Sequence, residues 1–182
     1  MDSEMYPRYQ TAMLSAYYPN TTTSFLDFRV EEPEQFYGSD MLSQISSGKV
    51  FMVNSRKRNG LILFKRYHAE FAGPGAAVGG DYDRDCIRIL PIGKRQDLLL
   101  PDDTFEERQK GYLIRRQWVR LIKQITENPD PQQRVQKILD QFEQYFPTGM
   151  VQQLPDEAFA MLVGVLPQTV AIVRRFGEDG EI

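Results

Sequence analysis

Apolar positions along the chain change period near residue 104. Before that point they come in short runs rich in β-branched and aromatic residues: KVFMVNS at 49–55, LILFKRY at 61–67 and CIRILPI at 86–92. Runs of this length between turn residues predict strands, with one more short strand over 97–100. Asn59-Gly60 offers the positive φ angles of a tight turn, which predicts a β-hairpin joining the first two runs. Its tip carries Arg56, Lys57 and Arg58. FAGPGAAVGG at 71–80 predicts a flexible loop. No Gly-Lys-Ser/Thr follows, so it is not a phosphate-cradling loop, and no helix opens after it as a dinucleotide fingerprint requires. Upstream, Pro19 to Thr23 reads as a turn, Ser39 as the cap of a short helix over 40–46, and Gly48 as its end.

After residue 104 the period becomes helical. Thr104 with Glu107 forms a capping-box pattern. Ile114, Trp118, Leu121, Ile122 and Ile125 then predict a helix over 105–126, with Gly111 as its weak point. Asn128-Pro129 ends it. Asp130 caps a second helix with Pro131 at its first position, and Val135, Ile138, Leu139, Phe142 and Phe146 form its buried stripe. Pro147 and Gly149 end that helix.

Composition narrows the class. At 182 residues, 41% hydrophobic and 26% charged, the chain matches an ordinary globular protein and has enough residues to bury a core. No apolar run approaches the roughly 20 residues of a membrane span. MDSEMYPRYQ at the start does not read as a secretory signal, so a cytoplasmic protein is expected. Net charge is −3 but uneven: −4 over residues 1–50, +6 over 51–125 and −5 over 126–182. Only the middle third has a favourable field for phosphate. Its basic clusters are Arg56 to Arg58, Lys65-Arg66, Lys94-Arg95 and Arg115-Arg116, most simply read as solvated faces.

Candidate chemistry is sparse. The one cysteine, Cys86, and the one histidine, His68, exclude an internal disulfide and a multi-histidine or cysteine metal site. Cys86 reads as a small buried side chain. Asp81, Asp83 and Asp85 alternate like calcium ligands but lack the loop's glycine and terminal glutamate, so a solvated turn is expected and no metal. Trp118 reads as core or as a dimer contact. No nucleophile, base and orienting group stand in an interpretable spacing, so no enzymatic reaction is expected.

The most informative segment is PDEAFAMLVGVLPQTVAIVRR at 155–175. A helix-turn-helix needs a small residue where its helices cross, supplied by Ala160, and a residue tolerating positive φ four places later, supplied by Gly164. Phe159, Val163, Val165, Val170 and Val173 fill the crossing, and Pro167 suits the first turn of the second helix. With RVQKILDQFEQYF at 134–146 before it and VRRFGEDGEI at 173–182 after it, the segment resembles the DNA-binding domain of the cyclic-AMP receptor and fumarate-nitrate regulator superfamily. The resemblance implies that the second helix enters the major groove, with Gln168, Thr169, Ile172, Arg174 and Arg175 toward the nucleic acid. It also implies that helix 105–126 is a dimerisation helix. The upstream region lacks that family's Gly-Glu…Arg-Ala cassette, so no cyclic nucleotide or other cofactor is expected.

These readings give an α+β protein, with a β-rich module over 1–103 and a helical region over 104–182. The expected function is a homodimeric transcriptional regulator that reads double-stranded DNA, with Arg56, Lys57 and Arg58 as auxiliary phosphate contacts. The alternative is a protein-interaction module that keeps the helix-turn-helix shape without reading DNA. The acidic C-terminal third and the outward Leu166 and Ile172 point that way.

Overall fold

The computed structural model describes residues 33–56, 58–93, 99–101 and 104–178. Lys57, the 19–23 turn, Lys94-Arg95 and the segment after 178 lie outside the described residues. The chain divides into two compact units, Met1–Tyr37 and Gly38–Ile182. Of the first, only the opening turns of helix α1 (Pro33–Ser46) are described. That helix starts earlier than expected, with Pro33 at its first position, where a missing N–H costs nothing. Ser39 therefore lies inside it.

The second unit is α+β. Two three-stranded antiparallel sheets come first. One has the order β4-β1-β6, built from β1 (Val50–Val53), β4 (Ala77–Gly79) and β6 (Leu99–Pro101). The other has the order β3-β2-β5, built from β2 (Gly60–Phe64), β3 (Ala69–Ala72) and β5 (Arg88–Ile92). Among the described residues the helices that follow are α2 (Phe105–Thr126), α3 (Pro131–Tyr145), α4 (Thr148–Gln152), α5 (Asp156–Val163) and α6 (Pro167–Glu178). Sheets and helices share one core, so the change of period at 104 marks a change of element inside a single unit.

The expected hairpin between the first two strands does not form. β1 and β2 lie in different sheets. Directly after β1 the Asn54 side chain accepts the Arg56 N–H at 2.9 Å, an Asx turn that diverts the chain. Gly60 has no positive φ. It serves by having no side chain, since a Cβ there would sit 2.5 Å from the Phe71 ring. The true hairpin partner of β2 is β3, in register Phe64 with Ala69 and Leu61 with Ala72. Lys65 N–H donates to the His68 carbonyl at its tip. All five β2 residues are buried, as in a central strand covered on both faces.

The expected loop at 71–80 is also replaced by structure. It supplies parts of β3 and β4 and is buried throughout, apart from the half-buried Pro74. Its small residues let α2 lie close: a Cβ on Gly73 would fall 2.4 Å from the Trp118 indole. Gly111, far from being a weak point, is buried against the end of Met52.

The helices follow the sequence pattern closely. Thr104 Oγ1 accepts the Glu107 N–H at 3.1 Å, and Asp130 accepts from Gln132 and Gln133. Trp118, Ile122 and Ile125 of α2 turn inward, as do Val135, Ile138 and Phe142 of α3. Phe71 joins the layers. Its ring lies 4.7 Å from Trp118, edge-on, 4.8 Å from Phe142 and 5.9 Å from Phe146. Phe142 in turn meets Phe159 of α5 at 5.2 Å. Such pairs add about 0.5–1.5 kcal/mol each beyond area burial.

Gly73→Ala tests the seat of Trp118. The added methyl must displace the indole, and overpacking of this kind costs about 1–3 kcal/mol. Urea unfolding followed by the fluorescence of the sole tryptophan should show that loss together with a shifted native emission. An unchanged midpoint would refute the close approach.

Candidate functional site

The C-terminal pair α5 and α6 forms a helix-turn-helix. The two helices bend by 112° across the break between them. Gly164 stands at φ 65°, ψ 49°, the left-handed conformation that only glycine adopts without penalty. Its N–H and that of Val165 both converge on the Ala160 carbonyl, closing α5. Ala158, Phe159, Ala160, Val163, Val170 and Val173 are buried between the helices and α3, while Val165 is half-buried.

Two arginines lock this arrangement. Arg134 of α3 donates through Nε to the Asn128 carbonyl at 2.6 Å and through Nη1 to the Gly164 carbonyl at 3.3 Å. Arg174 of α6 reaches back across the turn. Its Nη1 pairs with Asp156 at 2.9 Å, its Nη2 donates to the Leu154 carbonyl at 2.9 Å and to Val151 at 3.3 Å, and its guanidinium lies over the Phe159 ring.

The expected contact residues therefore separate. Gln168, Ile172 and Arg175 are exposed and Thr169 half-buried, at spacings that put them on one outward face of α6. Phe176, 72% exposed, joins that face, and Leu166, 60% exposed, precedes it. Sequence reasoning had not included Phe176, although it continues the same spacing. Arg174 stands on the other side, engaged within the chain. Arg56 and Arg58 are exposed on the connection between β1 and β2, on a different element from α6. On α2, Trp118 is core. What that helix turns outward is Phe105, Leu113, Arg116 and Arg120.

A second polar group was not expected. Lys65, Asp83 and Arg115 are buried to 2%, 0% and 1% exposure. Lys65 is therefore not solvated, and of the Asp81–Asp85 turn Asp81 and Asp85 are exposed as expected while Asp83 turns inward. Asp83 lies in a 3₁₀ turn over Gly80–Asp83 and accepts the Gly79 N–H at 2.8 Å. Its other oxygen lies 3.2 Å from Lys65 Nζ and 3.4 Å from Arg115 Nη2. The same Arg115 nitrogen donates to Glu70 at 2.6 Å, and Lys65 also pairs with Asp85. Burial pulls the Lys65 pKa down, but the Asp85 hydrogen bond and the Asp83 charge outweigh it and leave the value raised. The Lys65 hydrogen bond lowers Asp85. Burial and the Glu70 charge raise Tyr82, which lies beside the group. One signal in the sequence announced it: Arg115 falls in register with Gly111, Trp118 and Ile122 on the inward stripe of α2. The cluster spends two cations of the middle third inside the protein.

Cys86 is buried, as expected, and donates to the Arg88 carbonyl. Burial pushes its thiol up to about 11.

A scan against protein-family models, a search of curated proteins and a search of solved structures each returned no match.

Two measurements check this geometry. Arg174→Ala removes charged hydrogen bonds worth about 1.5–3 kcal/mol, whereas Arg175→Ala on the outward face should change stability by less than about 0.5 kcal/mol. Equal effects in denaturant melts would contradict the assignment. Cys86 holds its proton longer in the folded than in the unfolded chain. Its contribution is complete below pH 9 and disappears as pH rises through about 11, roughly 3 kcal/mol at about 1.4 kcal/mol per pH unit. Cys86→Ala should remove that part of the alkaline loss. Among the described residues Lys65 and Tyr82, whose values are also raised, contribute to the part that remains.

Proposed function

We propose that the chain is a helix-turn-helix regulator of the cytoplasm that binds duplex DNA through the outward face of α6. The observation that carries this reading is the steep 112° meeting of α5 and α6 across a left-handed Gly164, braced by α3. That is the geometry which lets a second helix project into a major groove. Gln168 and Thr169 at its start are the side chains placed to meet base edges, Arg175 meets phosphate, and Ile172 packs against a thymine methyl. Arg174 contributes by holding α6 in place. Arg56, Lys57 and Arg58 add phosphate contacts from the β module. The resemblance to the cyclic-AMP receptor and fumarate-nitrate regulator superfamily belongs to the same proposal. So does a homodimer through α2, whose outward Phe105 and Leu113 are its apolar contacts.

Among the described residues no single helix is long and apolar enough to cross a membrane.

A second reading is favoured by Leu166, Ile172 and Phe176. Three exposed apolar side chains around one cation suit a protein partner as well as a groove. Under that reading Ile172→Glu abolishes partner capture, and DNA titrations stay blank.

A labelled random duplex titrated at low and moderate salt tests the first reading, with mass by light scattering for the dimer. Four cations on phosphate per chain, eight in the dimer, predict a slope of log K against log salt between about −4 for one engaged chain and about −7 for both. Thr169→Ala combined with Arg175→Ala should cost about 2–4 kcal/mol of affinity. A folded protein that ignores DNA at low salt overturns the proposal.

A further inference from the structure

A cleft opens where the β2–β3 turn, the second half of α2 and the end of α5 meet, with a volume of about 390 Å³. That size falls at the lower end of small-molecule sites, which span roughly 300–1,000 Å³. The cleft has two distinct parts. Val119, Ile122, Met161, Leu162 and Val165 give it an apolar lining above Phe71. Tyr67, His68, Glu70, Lys123 and Thr126 give it a polar rim.

The rim determines what kind of head group fits. Both Glu70 oxygens are occupied, one by Arg115 and one by His68. Thr126 donates its hydroxyl proton to the Lys123 carbonyl. The Lys123 side chain is exposed and makes no ion pair with any described residue. Among the described residues the uncommitted charge at the mouth is therefore the Lys123 ammonium, over an apolar floor.

We propose that this cleft binds a small amphipathic organic anion, with its apolar body against Val119, Met161 and Val165 and its carboxylate or sulfonate on Lys123. Gly164 and Val165, the turn of the helix-turn-helix, form one wall. An occupant therefore touches the joint between α5 and α6 as well as the β2–β3 turn. The site does not rest on what α6 contacts: a chain that ignores DNA can still take up the anion, and the converse also holds.

Two fluorescent probes with the same apolar body test it on the full chain, 8-anilinonaphthalene-1-sulfonate and the uncharged N-phenyl-1-naphthylamine. The sulfonate should bind one per chain, saturably and more tightly than the neutral probe. Lys123→Gln, a change on an exposed helix position, should weaken the sulfonate roughly 5-fold and leave the neutral probe unaltered. Val119→Phe intrudes on the apolar floor and should weaken both, with a cooperative thermal melt showing that the variant is folded. Equal affinity for the two probes, or a sulfonate affinity indifferent to Lys123→Gln, overturns the proposal. If Val119→Phe fails to fold, the Lys123 comparison decides alone.

Discussion

The Phe71 ring is the contact on which the rest of the second unit depends. It stands on β3, enters the space that Gly60 leaves open on β2, and presents its faces and edges to Trp118, Phe142 and Phe146. Those residues belong to different helices, so one side chain sets the distance of both helices from the sheet. Phe142 carries the contact on to Phe159 in α5. The position of the helix-turn-helix is thus transmitted through ring-to-ring packing from a strand some ninety residues earlier. Glycines at 60 and 73 are what make such packing possible, because any side chain at either place would occupy the volume the rings need.

Beside this apolar joint lies its polar counterpart. Burying Lys65, Asp83 and Arg115 costs several kcal/mol of desolvation per ion, which mutual attraction offsets only when the geometry is good. Asp83 meets that condition through the Gly79 N–H and two cations. Arg115 meets it in part: Nε and Nη1 have no hydrogen-bond partner among the described residues. The cluster therefore contributes orientation more than net stability. It permits one placement of α2, the one that puts Arg115 between Glu70 and Asp83, where a purely apolar face would tolerate sliding.

How much of this could be read from the sequence follows from the range of the forces involved. Caps at Thr104 and Asp130, the stripes on α2 and α3, and the left-handed residue at Gly164 are local, since each is decided within a few residues. Strand existence is also local, and β2 and β5 sit where their apolar runs stand. Strand pairing is not. Asn59-Gly60 carries the signal of a hairpin, yet the sheet assignment of β1 and β2 is decided by partners up to about fifty residues away. The stretch at 71–80 has the composition of a loop because it must be small, and only the bulk of Trp118 explains why. On α6, helical spacing alone places Gln168, Thr169, Ile172 and Arg175 together. Arg174 stands apart from them because its partners, Asp156 and two carbonyls, precede the turn and are invisible to periodicity.

Among the described residues, the two small sheets leave four strands with a neighbour on one side only: β4, β6, β3 and β5. Unpaired edges are templates on which a second molecule can add a strand. Two of the four carry a proline, Pro91 in β5 and Pro101 in β6. A proline removes a backbone donor and is tolerated in sheets mainly at such edges. β5 and β6 therefore offer an incoming strand a broken row of hydrogen-bonding groups. At these two margins the fold carries its own guard against edge-to-edge aggregation, written into the residues that end each sheet.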